Sequence, residues 1–281
     1  MAINDISLTS GMRNNLLSLQ NTTTLINRTQ TRLSTGKSVN TALDNPTNFF
    51  AAQTATARAT DLSNRKDGMS EAVQMVSAAN AGITGITSLI ESAQGVAQAA
   101  LATTSVTDRA SYETTFNTLM TQITELASDS GYRGTNFLNS QNQTVEFAPA
   151  TGGATLQIQG FDATATGLGL STAGTGSGSI DWADSTTGTA GIQSSATQLE
   201  NALNTLRSQS STLSANLSVV TSRQTFTDNM VSTLQTGADN LTLADTNQEG
   251  ANLLMLQTRQ SLGITSLSLA SQAAQAVLKL F

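Results

Sequence analysis

Gly36-Lys37-Ser38 has the form of the end of a phosphate-binding loop, where backbone N–H groups and a lysine would cradle an anion. That chemistry needs a glycine five residues before Gly36, and the position holds Thr31. Gly174-Thr175-Gly176-Ser177-Gly178 supplies two glycines of a dinucleotide fingerprint, but the third would fall at Ser179. Asp181 and Asp184 could divide acid and base work only in a hydrophobic pocket that separates their pKa values, and the residues around them offer none. Asn216-Leu217-Ser218 matches a glycosylation acceptor but falls within a helical stretch. The chain has no Cys and no His, which removes thiolate nucleophiles, disulfides, imidazole bases and the commonest zinc ligands. The expectation is a non-enzymatic protein with no catalytic residue, metal or cofactor.

What remains is architecture. The 281 residues carry 13 Lys+Arg and 19 Asp+Glu, a net charge of −6, so there is no basic footprint for nucleic acid or a membrane surface. Charged residues reach only 11% and aromatics 4%, with Ser, Thr, Asn, Gln and Ala in their place. Such small side chains let long helices approach closely, which favours an elongated helical protein over a globule. Met1-Ala2-Ile3-Asn4-Asp5-Ile6-Ser7 lacks the basic and apolar run of a cleaved signal peptide, and no run approaches the roughly 18 apolar residues of a membrane span.

From Ile192 to Thr236 there is neither Gly nor Pro. Leu199, Leu203, Leu206, Leu213, Leu217, Val220, Val231, Leu234 and then Leu241 step by three and four, a heptad stripe on a helix of roughly 65 to 70 Å. Ser210, Gln224 and Thr227 interrupt it, which suits a bundle helix better than a zipper. A second long helix carries Leu62, Met69, Val76, Ile83, Ile90 and Ala97 on one line and Ala72, Ala79, Ile86, Ala93 and Ala100 on another. A third, from Tyr112, Phe116, Leu119, Ile123 and Leu126, has Asp108 as its predicted N-cap and ends at Ser130-Gly131-Tyr132-Arg133-Gly134. Val145 and Phe147, then Leu156 and Ile158, alternate with polar residues around Pro149, which predicts a hairpin. Between Ala163 and Gly191, 23 of 29 residues are Gly, Ser, Thr or Ala, so an exposed, partly irregular surface loop or a very small subdomain, with Trp182 as its anchor, is expected.

Both ends are amphipathic. Met12, Leu19, Ile26 and Leu33 recur every seven residues beside Leu16, while Leu253, Leu267, Ala274 and Phe281 form one line and Leu256, Ala270 and Val277 another. Chain ends ordinarily fray, so sustained heptads there predict pairing with each other or, the favoured reading, with other copies. With Ile3 and Ile6 these residues are the expected self-assembly interface. The fold class is mainly α, an elongated bundle of long helices with coiled-coil terminal helices and a small β-hairpin. The expected divisions are 1–40 and 246–281 for the terminal helices, 41–140 and 192–245 for the inner core, 141–162 for the hairpin and 163–191 for a variable surface segment.

Arg32-Leu33-Ser34-Thr35-Gly36 with Val39-Asn40-Thr41-Ala42-Leu43-Asp44-Asn45-Pro46 resembles the stretch of bacterial flagellins that joins the N-terminal helix to the first core helix. Asp67-Gly68-Met69, Tyr132-Arg133-Gly134-Thr135-Asn136-Phe137-Leu138 and Leu267 to Phe281 are similar to further family segments, although Arg133 replaces the usual Asn, Ser271 an Asn and Ala274 a Pro. The resemblance covers about 1–140 and 195–281, and it is to a short form with outer domains absent or reduced. It implies a structural subunit that self-assembles into the flagellar filament used for swimming, exported through the flagellar channel without a cleaved signal. The implied partners are other copies, the export apparatus, a chaperone for the C-terminal helices, and the hook-junction and filament-cap proteins. Ser92, Ala93, Gln94, Gly95 and Val96 stand where many members carry an Arg-x-Arg-Glu-Leu stretch read by an innate immune receptor, so weak recognition is expected. Candidate O-glycosylation positions are Thr164, Thr166, Ser171, Thr172, Thr175, Ser177, Ser179, Ser185, Thr186, Thr187 and Thr189. The alternatives are a hook-filament junction protein, which would not grow long filaments alone, and a secreted helical adhesin.

Overall fold

The computed structural model describes residues 10–148, 153–175 and 180–278. Five helices dominate: α1 (Ser10–Thr35), α2 (Pro46–Ala102), α3 (Val106–Asp129), α4 (Gly188–Thr242) and α5 (Thr246–Leu278). Strands β1 (Gln143–Glu146) and β2 (Thr155–Ile158) form an antiparallel pair with Val145 opposite Leu156.

The helix ends follow from their capping residues. Asn45 accepts from the Asn48 amide at 3.1 Å just before Pro46, whose fixed φ suits a first helical position. Asp245 caps α5 through the Asn247 and Gln248 amides. At α3 the cap is Ser105, whose hydroxyl accepts from the Asp108 amide at 3.3 Å; Asp108, predicted as the cap, sits three residues in, where its charge suits the helix N-terminus. Gly36, at φ +70°, closes α1. α4 begins before the expected Ile192 because Gly188 and Gly191 let it start against the preceding segment: a Cβ on them would lie 2.4 Å from the Trp182 carbonyl and 2.5 Å from that of Asp181.

The chain divides into two compact units. The first comprises Met1–Ala59 and Ser232–Phe281, the second Thr60–Val231, with α2 and α4 each contributing to both. In the second unit the two predicted lines of α2 are buried from Leu62 to Ala100, with Leu199, Leu206, Leu213 and Val220 of α4 and Phe116, Met120 and Ile123 of α3. α2 is long and apolar enough by composition to cross a bilayer, yet those lines are spent on this core. The polar interruptions of the α4 stripe meet polar groups of α2: Ser210 donates to Asn80 at 3.3 Å and Gln224 to Ser70 at 2.9 Å. Arg133 has φ +50° in a tight turn closed by paired Tyr132 and Thr135 backbone bonds, and its guanidinium meets Glu71 at 2.6 Å.

Of the two forms expected for the 163–191 segment, the burial of its apolar residues suits a very small subdomain with Trp182 as its anchor better than an exposed loop. Ala163, Ala165, Leu168, Leu170, Ala173 and Trp182 are all buried. Side chains of the neighbouring helices take up its backbone groups: Asn117 donates to the Ala173 carbonyl and accepts from its amide, both at 2.8 Å, and Gln198 accepts from the Ser171 amide at 3.0 Å. The Trp182 ring packs at a tilt against Phe116, centroids 4.6 Å apart, and its indole N–H donates to the buried Ser195 hydroxyl at 3.0 Å. Hydrogen-bonded hooks and one large aromatic compensate for the low apolar content.

Candidate assembly interface

The first unit is built around α1 and α5, which run antiparallel: Leu19 packs against Gly263, Thr23 accepts from Gln260, and Arg32 pairs with Glu249 at 2.9 Å. A Cβ on Gly263 would sit 2.9 Å from Leu19 Cδ2, so the glycine leaves the room that Leu19 fills. The two connections at the end of this pair are also joined. Ser38 donates its amide to the Thr242 carbonyl at 2.7 Å, and the Ala244 amide donates to Gly36 at 2.9 Å.

Within α1, Met12 and Ile26 are buried and Leu19 and Leu33 half-buried; within α5, Leu256 is buried and Leu253, Leu267, Ala270 and Ala274 are half-buried. These expected assembly residues are thus largely covered inside a single copy. Leu16 differs. It is exposed, because the second line of the α1 stripe is polar, formed by half-buried Asn15 and Thr22 and buried Thr29. Ile3, Ile6 and Phe281 lie outside the described residues, and Val277 lies in the last turn of α5.

A different set of apolar residues faces solvent. Met255, Leu262 and Leu269, 45%, 63% and 62% exposed, recur every seven residues on α5, two positions past the covered Leu253–Leu267 line. Leu254, Ile264, Leu16, Leu17 and Leu25 are also exposed. Of the 14 large hydrophobic side chains exposed among the described residues, all but Val106, Val219 and Phe226 belong to the first unit. Among the described residues, the largest fully buried side chains all belong to the second. The seven-residue step of Met255 to Leu269 was readable in the sequence, but the stripe that pairs inside the chain masks it.

Of the candidate glycosylation positions, Thr166, Thr172, Thr175, Ser185, Thr186, Thr187 and Thr189 are exposed, and Thr164 and Ser171 are half-buried. The Thr189 hydroxyl accepts from buried Arg109 at 3.0 Å, and the Thr164 hydroxyl donates to Asp162 at 2.7 Å. Ser177 and Ser179 lie outside the described residues. The Asp184 carboxyl is held below its ordinary value by the Thr187 and Thr186 amides and the Thr187 hydroxyl, so its role is to shape the turn before α4.

Comparison with known proteins bears on the whole chain. The family model for the bacterial flagellin N-terminal helical region matches residues 3–143. Flagellin FljO of Caulobacter vibrioides is 28% identical over 285 residues, covering 100% of both chains. The flagellin of Brucella melitensis is 26% identical over 275 residues, covering 95% of both. Flagellin C of Rhizobium meliloti is 39% identical over 80 residues, covering 27% of this chain and 25% of the relative.

Proposed function

The chain belongs to the bacterial flagellin family and is a structural subunit of the flagellar filament, and we propose that it enters that filament through the exposed stripe of α5. The observation that carries the proposal is the contrast within the first unit, where Leu253, Leu256 and Leu267 are covered by their own chain while Met255, Leu262 and Leu269 are not. A second seam on a helix that already has one partner is the pattern of a helix packed between two neighbours. Covering one such side chain contributes about 1.5 to 3 kcal/mol before ordering costs. Met12, Leu16, Leu19, Ile26, Leu33, Ala270, Ala274, Val277, Ile3, Ile6 and Phe281 belong to the same proposed interface, the covered ones by fixing the α1·α5 pair that presents the stripe.

The filament lies outside the cell, and the subunit reaches its tip through the flagellar export channel. Its further partners are the export apparatus, a chaperone holding the C-terminal helices, and the hook-junction and cap proteins. The role is structural rather than enzymatic. Relatives that are flagellins along the whole chain favour a filament subunit over a junction protein. Innate receptor recognition is weak, because Ser92 to Val96 supply no arginine. Glycosylation, where it occurs, falls on exposed Thr166, Thr175, Ser185, Thr186 or Thr187.

Electron microscopy of seeded full-length protein tests the reading beside the triple variant Met255→Gln, Leu262→Gln, Leu269→Gln and a copy lacking 1–35 and 250–281. Long uniform filaments are expected from the full chain alone. Filaments of normal length from the triple variant would overturn the assignment of the stripe.

A further inference from the structure

Met255 is the member of the exposed α5 stripe that can be chemically altered. Its stripe neighbours Leu262 and Leu269 are saturated hydrocarbon, whereas a methionine thioether is soft and nucleophilic. Among the described residues, Met12, Met69 and Met120 are buried, Met75 and Met230 are half-buried, and Met255 alone of the methionines is exposed. The chain has no cysteine to react ahead of it. Peroxides oxidise methionine where its sulfur is accessible, and the product is polar where the side chain was apolar. A lone pair on Sδ attacks one oxygen of hydrogen peroxide, the S–O bond forms as the O–O bond breaks, and the departing hydroxide takes the remaining proton and leaves as water. The thioether is oxidised to a sulfoxide and the peroxide is reduced.

In the free subunit a sulfoxide at this position stays hydrated, so the fold loses nothing by it. Covered by a neighbouring copy, the same oxygen must give up its water, and the stripe offers it no replacement. Thr258, one turn on, already donates its hydroxyl to the Leu254 carbonyl at 2.9 Å. Leu262 and Leu269 have no donor. Arg259, exposed on the next turn, can satisfy the oxygen only by carrying its own charge into the seam. A buried acceptor without a partner, or a buried charge, opposes association. One added oxygen therefore acts on assembly and leaves the monomer as it was.

We propose that Met255 is a peroxide-modified site whose sulfoxide holds the free subunit out of the filament until a dithiol-driven reductase removes the oxygen as water, its two thiols closing to a disulfide. The proposal rests on the reading of the α5 stripe as the assembly seam and adds the regulation of that seam. Full-length subunit is treated with a limiting dose of hydrogen peroxide, and its peptides are weighed. Oxygen is expected on Met255 before Met12, Met69, Met75, Met120 or Met230. At that dose the critical concentration for growth on wild-type seeds rises by about 10- to 100-fold with an unchanged monomer melting curve. Incubation with a methionine sulfoxide reductase and a dithiol returns it to the untreated value. Met255→Leu, compared only with its own untreated sample, shows no rise with peroxide. Oxidation of Met255 no earlier than of the buried methionines overturns the proposal. So does an unchanged critical concentration once Met255 carries oxygen, a rise that reduction does not reverse, or an equal effect of peroxide on Met255→Leu. Failure of untreated wild type to grow filaments, or normal filaments from the triple glutamine variant, overturns instead the reading of the stripe on which it rests.

Discussion

Trp182→Ala separates a folded 163–191 segment from a surface loop. Trp182 is fully buried against Phe116, and its indole N–H donates to a Ser195 hydroxyl that is itself fully buried. Truncating a buried tryptophan costs about 3 to 5 kcal/mol, and leaving the Ser195 hydroxyl without its donor places the change near the top of that range. The second unit spans Thr60–Val231, a size at which each kcal/mol shifts Tm by about 2 to 4 °C. The expected loss is therefore roughly 8 to 20 °C, read by far-UV circular dichroism on the monomer. Trp182→Phe keeps the ring packing and loses mainly the hydrogen bond, so it falls by about 1 to 3 kcal/mol. Thr186→Ala, on an exposed side chain nearby, stays within about 0.5 kcal/mol of wild type. Trp182 is the only tryptophan, so its fluorescence reports the same site without a label. A Trp182→Ala melt within a degree or two of wild type, or acrylamide quenching as efficient as for a free indole, would refute the argument.

Glu249→Ala removes the partner of Arg32, whose Nε is buried without a hydrogen bond. Because Arg32 keeps 22% of its side chain in solvent, the expected cost is about 1 to 3 kcal/mol rather than the full penalty of a buried pair; cross-linking efficiency between Thr23→Cys and Gln260→Cys should fall with it. Leu256→Gln and Leu262→Gln should differ in kind: the first loosens the α1·α5 pair in the monomer, seen as faster hydrogen exchange in both helices, and the second leaves exchange unchanged while impairing assembly. The Asp44 carboxyl is held below its ordinary 3.8 by the Thr41 and Asn40 amides and the Thr41 hydroxyl. A carboxylate with a lower pKa in the folded state stabilises it fully above the unfolded value, and that contribution disappears as pH falls through 3.8 toward the folded value. The chemical shift of the Thr41 amide proton should therefore titrate with a midpoint below 3.8, and a midpoint at or above it would contradict those hydrogen bonds.

How much of this was legible in the sequence depended on whether one partner or two competed for a helix face. The lines from Leu62 to Ala97 and from Ala72 to Ala100 are buried, because their helix has a single apolar face and a single core to put it in. On α5 two stripes lie two residues apart, and periodicity alone assigns neither to the chain's own α1; Gly263 and Gln260, gaps in an apolar pattern, are where Leu19 and Thr23 fit. On α1, Asn15, Thr22 and Thr29 turn inward and leave Leu16 exposed, so hydrophobicity alone did not show which residues meet α5 within the chain. The burial of the 163–191 segment was hidden by composition, because it relies on polar partners on neighbouring helices, Asn117 of α3 and Ser195 and Gln198 of α4, rather than on apolar residues of its own. Together these differences describe a division of labour. The second unit holds the largest fully buried side chains and leaves only Val106, Val219 and Phe226 among the exposed large hydrophobic ones, whereas the first closes one seam of α5 and leaves Met255, Leu262 and Leu269 in water. Under the proposed function, the first unit gains free energy when a neighbouring copy covers that second seam.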